Sequence, residues 1–464
     1  MQQIDFSQGS IRRRILAVAT PMLIAQLLNL LYNIVDRIYI GKIPGEGTLA
    51  LASIGLCFPF VTLITAFANL FGLGGAPLCA MARGKGNQEG AQCIMVNAGF
   101  MLLLSGAVLT VLGIAFHRPL LYLFGASEVT YPYASSYIVI YLIGTLCVML
   151  SLGLNPYINC QGFARTGMLT VALGAAANIV LDPIFIIGAV LNLILDPIFI
   201  FALHLGVRGA AIATVLSQFL SAAWVVKFLT GKKAELKLDF RGFRPDRQCI
   251  QRITVLGIAS FVMSFTDTLV QVACNATLRN FGGDLYISVM TVLNSVRQIA
   301  QTPVLAIADG ASTAISYNYG AGLYKRTRDA IRFMTQIAIG YTMLVWMLVS
   351  LFPALFIRIF NQDAELVAAA VPALHIYFFG FVMMAFQYAG QSTFRALGRA
   401  KYAVFFSLLR KAFIVVPLTL LLPYCWNLGV SGVFAAEPVS NCIGGLACYF
   451  TMRHVVMPEL KMEN

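Results

Sequence analysis

Stretches of about 20 or more mainly apolar residues recur from one end of this chain to the other, the length a helix needs to cross a ~30 Å hydrocarbon layer. Inside such a layer every backbone N–H and C=O must be bonded within its own segment, so this pattern dictates a set of spanning helices. Composition points the same way: 59% of the 464 residues are hydrophobic and 11% are charged, against roughly a quarter charged in soluble domains. Twelve spans are expected, at 15–40, 49–75, 94–116, 134–160, 168–205, 209–229, 250–278, 286–317, 331–357, 366–393, 403–424 and 428–452.

The net charge of +13 does not indicate nucleic acid, because the basic residues lie in short segments between apolar runs and form no soluble face. Arg12 to Arg14, Arg83 and Lys85, Arg165, the run from Lys227 to Arg252, Lys325 to Arg332, Arg395 to Lys401, and Arg453 with Lys461 fall at the amino end, at every second loop, and at the carboxyl end. The intervening loops hold little beyond Lys42, Arg118, Arg208, Arg279 and Arg358. By the positive-inside rule both termini are cytoplasmic, which suits an even number of spans in a multi-pass protein of the cell membrane. The run Ser10-Ile-Arg-Arg-Arg-Ile-Leu-Ala imitates the start of a signal peptide, but its apolar stretch runs on to Ile40 through Pro21, Gln26, Asn29, Asn33 and Asp36 and reads as the first span. The ten cysteines show no C-x-x-C spacing and the four histidines no metal-ligand pattern, so both read as structural. No G-x-x-x-x-G-K-[ST] loop is present to hold ATP. No enzymatic activity and no cofactor are expected.

The two halves repeat each other. Ala82-Arg-Gly84-Lys-Gly86 aligns with Asn318-Tyr-Gly320-Ala-Gly322, Phe116-x7-Phe124 with Phe352-x7-Phe360, Tyr141-x-x-Gly144 with Tyr377-x-x-Gly380, and Gly162 with Gly398, all at an offset of 236. Leu205-Gly-Val-x-Gly209 aligns with Leu428-Gly-Val-x-Gly432 at 223, so about 13 residues are extra in the first half. They are visible as a tandem copy: residues 173–186 are followed directly by a second version of themselves at 187–200. The expected fold is therefore an all-α integral membrane protein, with two six-helix lobes related by a pseudo-two-fold along the membrane normal. The amino-terminal lobe covers 1–230, a basic cytoplasmic linker 231–251, and the carboxyl-terminal lobe 252–464. Such paired lobes leave a cleft between them for a substrate.

Asp36 lies in the outer part of an otherwise apolar span, where a carboxylate costs several kcal/mol unless it is paired, hydrated or protonated. It reads either as an interfacial residue bonded to a Tyr or to Arg37, or as a cation or proton site. The second reading is strengthened by Asn-x-x-x-Asp-Pro in the fifth span, whose spacing of four stacks amide and carboxylate on one helix face. The proline can free backbone carbonyls for a cation, and Thr214 adds a hydroxyl. In the second half, Asp267 and Glu437 form a further candidate site, and Glu437-Pro438 aligns with Thr214-Val215. Asp309 reads as a solvated structural acid, and Arg297 and the Arg410–Lys411 pair as snorkelling or helix-end residues.

Pro21-x10-Tyr32-x-x-Val35-Asp36-x-x-Tyr39-Ile40-Gly41, Gln161-Gly162-x-x-Arg165-x-Gly167-Met168, Asn-x-x-x-Asp-Pro, Gly206-Val-x-Gly209-Ala-Ala-x-Ala-Thr214 and Ile315-Ser-Tyr-Asn318-Tyr319-Gly320-Ala-Gly322 follow one another in this order. Across nearly the whole chain this resembles the multidrug and toxic compound extrusion (MATE) family. The resemblance implies a secondary active multidrug efflux transporter, an antiporter that exports organic, often cationic, compounds in exchange for H+ or Na+. It also implies that Asp36, the Asn and Asp of the fifth span, and Thr214 form the ion-coupling site, with no metal other than Na+ there. The tandem copy leaves two registers. As one helix the 38 residues from Met168 to Leu205 would reach about 57 Å, far beyond the ~30 Å core, so only one copy can lie beside Asp36. Measured back from the outer turn at Leu205, Asn192 and Asp196 reach the depth of Asp36, and this is the register adopted. Measured from the loop at Gly167, Asn178 and Asp182 do. The expected partners are small organic cations and the lipid bilayer, with the chain a monomer. A flippase for lipid-linked oligosaccharides or precursors, of the same superfamily, is the nearest rival. A channel or membrane receptor is more distant, since it leaves the paired lobes and buried acids unexplained.

Overall fold

Helix is the only regular structure among the described residues of the computed structural model, which cover 3–41, 47–124, 126–182, 207–360 and 362–462, with the backbone path alone for 32–41, 47–52, 180–182, 284, 426 and 462. In order these are α1 (Ile11–Gly41), α2 (Gly47–Gly84), α3 (Gln88–Leu123), α4 (Tyr131–Ile143), α5 (Thr145–Cys160), α6 (Ala164–Asp182), α7 (Val207–Thr230), α8 (Arg247–Gly320), α9 (Tyr324–Leu351), α10 (Pro353–Arg358), α11 (Ala364–Phe378) and α12 (Met383–Ala396). Then follow α13 (Ala400–Leu408), a π-helical turn (Leu409–Val415), α14 (Val416–Leu421), a 3-10 turn (Leu422–Asn427) and α15 (Val430–Met462). Among the described residues, seven helices are long and apolar enough to cross a membrane, and up to nine if each of two bent pairs is one span. The fold is that of an all-helical, multi-pass membrane protein.

Lipid is the solvent that makes this arrangement stable. On α3, Leu104, Val108, Val111 and Leu112 are exposed at spacings of three and four, and Val111 keeps 67% of its surface uncovered. In water such a stripe would be an aggregation site; against acyl chains it is solvated. Helix α8 is broken at Gly283, where φ is 64° and ψ −162°. The break falls between the seventh and eighth expected spans, and a residue without Cβ reaches that conformation at little cost.

The repeat is written into the backbone. Gly86 and Gly322 take φ of 74° and 70°, and Gly162 and Gly398 take 87° and 71°. The α4–α5 pair bends by 55° at Gly144, and α11–α12 by 50° around Gly380. At each bend a neighbouring helix comes close: a Cβ on Gly144 would lie 2.6 Å from Val215 Cγ2, and one on Gly380 2.6 Å from Pro438 O. Val215 and Pro438 are partners under the 223-residue offset, so the two halves reproduce the same close approach.

Contacts divide the chain into two compact units: Met1–Ile4, Ile24–Cys79 and Gln88–Gly257 form unit 1, and Asp5–Leu23, Ala80–Asn87 and Ile258–Asn464 form unit 2. The basic segment after α7 is docked within unit 1. Leu236 N donates to Gln161 Oε1 at 3.0 Å, Asp246 N donates to Asn97 Oδ1 at 2.9 Å, and Ala234, Leu236 and Leu238 are buried. Asp246 also caps α8, and the backbone N–H of Cys249, followed by its thiol and the N–H of Gln248, holds the Asp246 carboxyl below its ordinary range.

Candidate functional site

In unit 1 the site is set by how α6 and α7 pair. Trp224 Nε1 donates to Thr166 O at 3.4 Å, Ser221 Oγ donates to Thr170 O at 3.0 Å, and Gly174 faces Ser217 and Ser221. One helix is climbed by fours as the other is descended by threes and fours, the signature of an antiparallel pair in register. Small residues let the backbones approach, and the next step brings Asn178 Nδ2 to within 3.4 Å of Thr214 Oγ1. Asn178 is 1% exposed, and its Oδ1 is buried with no hydrogen-bond partner among the described residues. A buried amide oxygen without a donor is costly, and it is a ready ligand for a cation or an acceptor for a protonated carboxyl.

The remaining residues of this expected site are described less fully. Asp36 lies on α1, five residues before its last residue, and Asp182 is the last residue of α6; for both only the backbone is described. Asn192 and Asp196 lie outside the described residues. The contact to Thr214 among the described residues is thus made from the first tandem copy.

Unit 2 carries a charged cluster that the sequence reading divided among separate residues. Glu437 on α15 has a side chain 5% exposed and receives Arg297 from α8 at 2.7 Å, Arg410 at 3.0 Å and Lys411 at 3.2 Å. Arg410 Nη1 also donates to Asn441 Oδ1 at 2.6 Å. Lys411 reaches Asp267 at 3.0 Å, and that carboxylate is 50% exposed. Arg297 Nη1 donates to Tyr377 Oη at 2.7 Å, and Tyr377 donates onward to Asn294 Oδ1 at 2.9 Å. Arg297, Arg410 and Lys411, expected to be snorkelling or helix-end residues, instead converge on a buried carboxylate. In hydrocarbon a guanidinium without a nearby interface finds its stabilisation in a carboxylate, and Glu437 supplies it.

Adjacent residues on a regular α-helix point about 100° apart. Arg410 and Lys411 nevertheless both reach Glu437, because they sit in the π-helical turn Leu409–Val415, whose wider circuit carries consecutive side chains toward one side. Arg410 packs against Gly444, where an added Cβ would lie 3.2 Å from the Cβ of Arg410. The repeat equivalents of Arg410 and Gly444 are Gly174 and Ser221, so the same helix pairing holds a small neutral contact in unit 1 and a cation in unit 2. Asp309, expected to be solvated, is instead 3.6 Å from Arg395 and 22% exposed.

The MatE family profile matches residues 21–184 and again 259–421. The chain belongs to the MatE family. The two MatE matches are of nearly equal length, which is the internal repeat seen from another side. MatE proteins are membrane transporters and not enzymes. The chain is similar to the multidrug export protein MepA of Staphylococcus haemolyticus (strain JCSC1435), with 24% identity over 450 residues, covering 97% of this chain and 95% of that one. It is similar to the FAD transporter of Shewanella oneidensis, with 25% identity over 457 residues, covering 97% and 96%. Its fold is that of a multidrug resistance MATE family transporter of the MOP superfamily solved in an outward-facing conformation, with a TM-score of 0.90, 23% identity, and 100% and 99% of the two chains covered.

The first MatE match ends two residues past Asp182, so all but the last two residues of the first tandem copy, Asn178 and Asp182 included, fall within the family pattern, and the second copy lies between the matched segments. Sequence reasoning also missed a thiol pair. Cys93 Sγ and Cys249 Sγ lie 3.3 Å apart, and Asp246 Oδ2 is 3.9 Å from Cys93. The three offer ligand atoms within 4.8 Å of one another. Cysteines 156 residues apart carry no local spacing signal; only the docking of the segment after α7 onto α3 brings them together.

Proposed function

We propose that this chain is a secondary active multidrug exporter of the cell membrane, exchanging small organic compounds for H+ or Na+ by alternating access, with both termini cytoplasmic. The observation that carries the reading is the buried Asn178–Thr214 pair, whose amide oxygen is unsatisfied among the described residues. In this reading Asp36, Asn178, Asp182 and Thr214 are the ion-coupling group, and the second copy, Asn192 and Asp196, is the inserted one. The MatE match ending at 184 and the unbroken α6–α7 register from Thr166 to Asn178 both support the first copy. Protonating Asp36, or seating Na+ among these oxygens, changes the charge buried in the first lobe and so biases one access state over the other. The MepA and FAD relatives support a small organic substrate.

The test is efflux of a fluorescent organic cation from proteoliposomes under an imposed proton or sodium gradient. Wild-type protein is expected to respond to one of the two gradients. Asp36→Asn is expected to abolish gradient-driven efflux while insertion and folding stay intact, and wild-type rates in that variant would remove Asp36 from the coupling site. The flippase reading draws on the three buried cations around Glu437, and it would gain if lipid-linked precursors moved and soluble dyes did not.

A further inference from the structure

We infer that the cluster around Glu437 is a binding site for the carboxylate or phosphate of a water-soluble organic anion, so that the substrates of this transporter include anionic and zwitterionic compounds. The inference rests on the exporter reading and names a substrate class for it.

The argument is one of charge balance in a poorly solvated place. Arg297, Arg410 and Lys411 are 14%, 8% and 4% exposed at their side chains, and the single buried carboxylate among them in the described residues, Glu437, is 5% exposed. One carboxylate does not neutralise three cations. Taking an ion out of water costs several kcal/mol even after relaxation, so an excess of buried positive charge calls for a further anion. Asp267 supplies one from the open side: it pairs with Lys411 at 3.0 Å and keeps 50% of its side chain exposed. Even with Asp267 counted, three cations face two carboxylates.

Two further features make this a receptor for an incoming anion. Arg297 Nε is buried and has no hydrogen-bond partner among the described residues, although both Nη atoms of that guanidinium are engaged, one by Tyr377 and one by Glu437. Tyr377, anchored in turn by Asn294, fixes the guanidinium plane, so its donors are held in place before any ligand arrives. The π-helical turn that brings Arg410 and Lys411 to the same side is a departure from regular helix of the kind that marks functional sites. A network whose only task was to join helices would reach balance with one cation per acid. In this geometry Asp267 acts as a resident competitor: an arriving carboxylate or phosphate takes its place on Lys411, and the released Asp267 turns to water.

Fluorescein and a cationic rhodamine share a xanthene frame and differ in charge, so the pair separates charge recognition from aromatic stacking. Fluorescence anisotropy on the full-length protein in neutral-lipid nanodiscs is expected to show saturable fluorescein binding. Lys411→Gln and Arg297→Gln should each weaken it about tenfold or more, with rhodamine binding little changed. Asp267→Asn should tighten it by removing the competitor. Equal losses for both dyes, or no gain in Asp267→Asn, would overturn the inference. Should Lys411→Gln or Arg297→Gln fail to give monodisperse protein, Asp267→Asn decides alone, since its half-exposed side chain tolerates an amide. Phosphatidylglycerol doped into the nanodiscs is expected to leave fluorescein bound; displacement by that lipid would reassign the cluster to a lipid headgroup. Failure of the exporter reading has a separate sign, proteoliposomes that expel neither dye under either gradient. Expulsion of rhodamine without any fluorescein binding would sink the anion site and leave the exporter standing.

Discussion

Glu437 is the carboxylate on which the buried cations of unit 2 depend, and its removal should be felt in stability before it is felt in function. In Glu437→Gln the amide keeps the shape but leaves Arg297, Arg410 and Lys411 facing one another, and breaking a buried pair in this way typically costs ~3–5 kcal/mol. The expected result is a clearly lower unfolding temperature in detergent, read by intrinsic fluorescence, with partial recovery at high salt where screening reaches the half-exposed side of the cluster. An unchanged unfolding temperature would mean that the cations are solvated in the folded protein. The importance of this residue was only half legible in the sequence. Glu437 stood out because a carboxylate at membrane depth is rare and because it aligns with Thr214. Its three partners did not, since an isolated Arg or Lys in an apolar span is more economically explained by snorkelling. Arg297 lies 140 residues from Glu437, and no local spacing announces that they meet.

Elements were the most legible level where length and period decide, and the least where an irregularity decides. Apolar runs of spanning length gave the helices; the 236-residue offset paired the glycines at which both halves bend or turn left-handed, but the spans at 134–160 and 366–393 were expected unbroken, since a glycine in an apolar run does not by itself announce a bend. The π-helical turn at Leu409–Val415 left no mark in composition, for the residues there are ordinary helix formers apart from the two cations it serves. The tandem copy in the fifth span is an intermediate case. Counting depth back from Leu205 favoured Asp196, whereas the α6–α7 pairing from Thr166 to Asn178 leads to Asp182. A helix register propagates along packed contacts, and the described ones start from the loop at Gly167. Deleting residues 187–200 shortens the segment from 183 to 206 from 24 residues to ten and leaves the packed copy untouched. That deletion is expected to retain gradient-driven efflux. In the full chain Asp182→Asn should abolish coupling, and Asp196→Asn should leave it near wild type. Loss confined to Asp196→Asn would return the site to the second copy.

At the scale of the whole molecule, the proposed orientation rests on charge. In unit 1, Gln3 Nε2 donates to Gln161 O at 3.1 Å and to Glu235, while Gln161 Oε1 accepts from Leu236 N. In unit 2, Arg326 donates to Phe6 O at 3.0 Å and Gly9 O at 2.8 Å, and Arg399 pairs with Glu459 near the carboxyl end. Within each unit, then, the chain ends are tied to loops that carry the basic residues. A charge excess on one set of loops is retained on the cytoplasmic face during insertion, because moving Lys and Arg across the bilayer is costly. The orientation follows as a prediction that needs no transport assay. In a chain freed of its ten native cysteines, Lys232→Cys is expected to react with an impermeant thiol reagent only in inverted membranes, and Asn280→Cys, just before the Gly283 break, only in intact cells. Both positions are exposed, so reactivity reports sidedness and not burial. The docked segment after α7 supplies the internal control. Leu236→Cys is on the same side as Lys232 but buried against Gln161, and it should label slowly even from the accessible face unless Gln161→Ala releases it. Labelling of Lys232→Cys from outside would invert the molecule, and with it the direction in which any ion gradient could drive export.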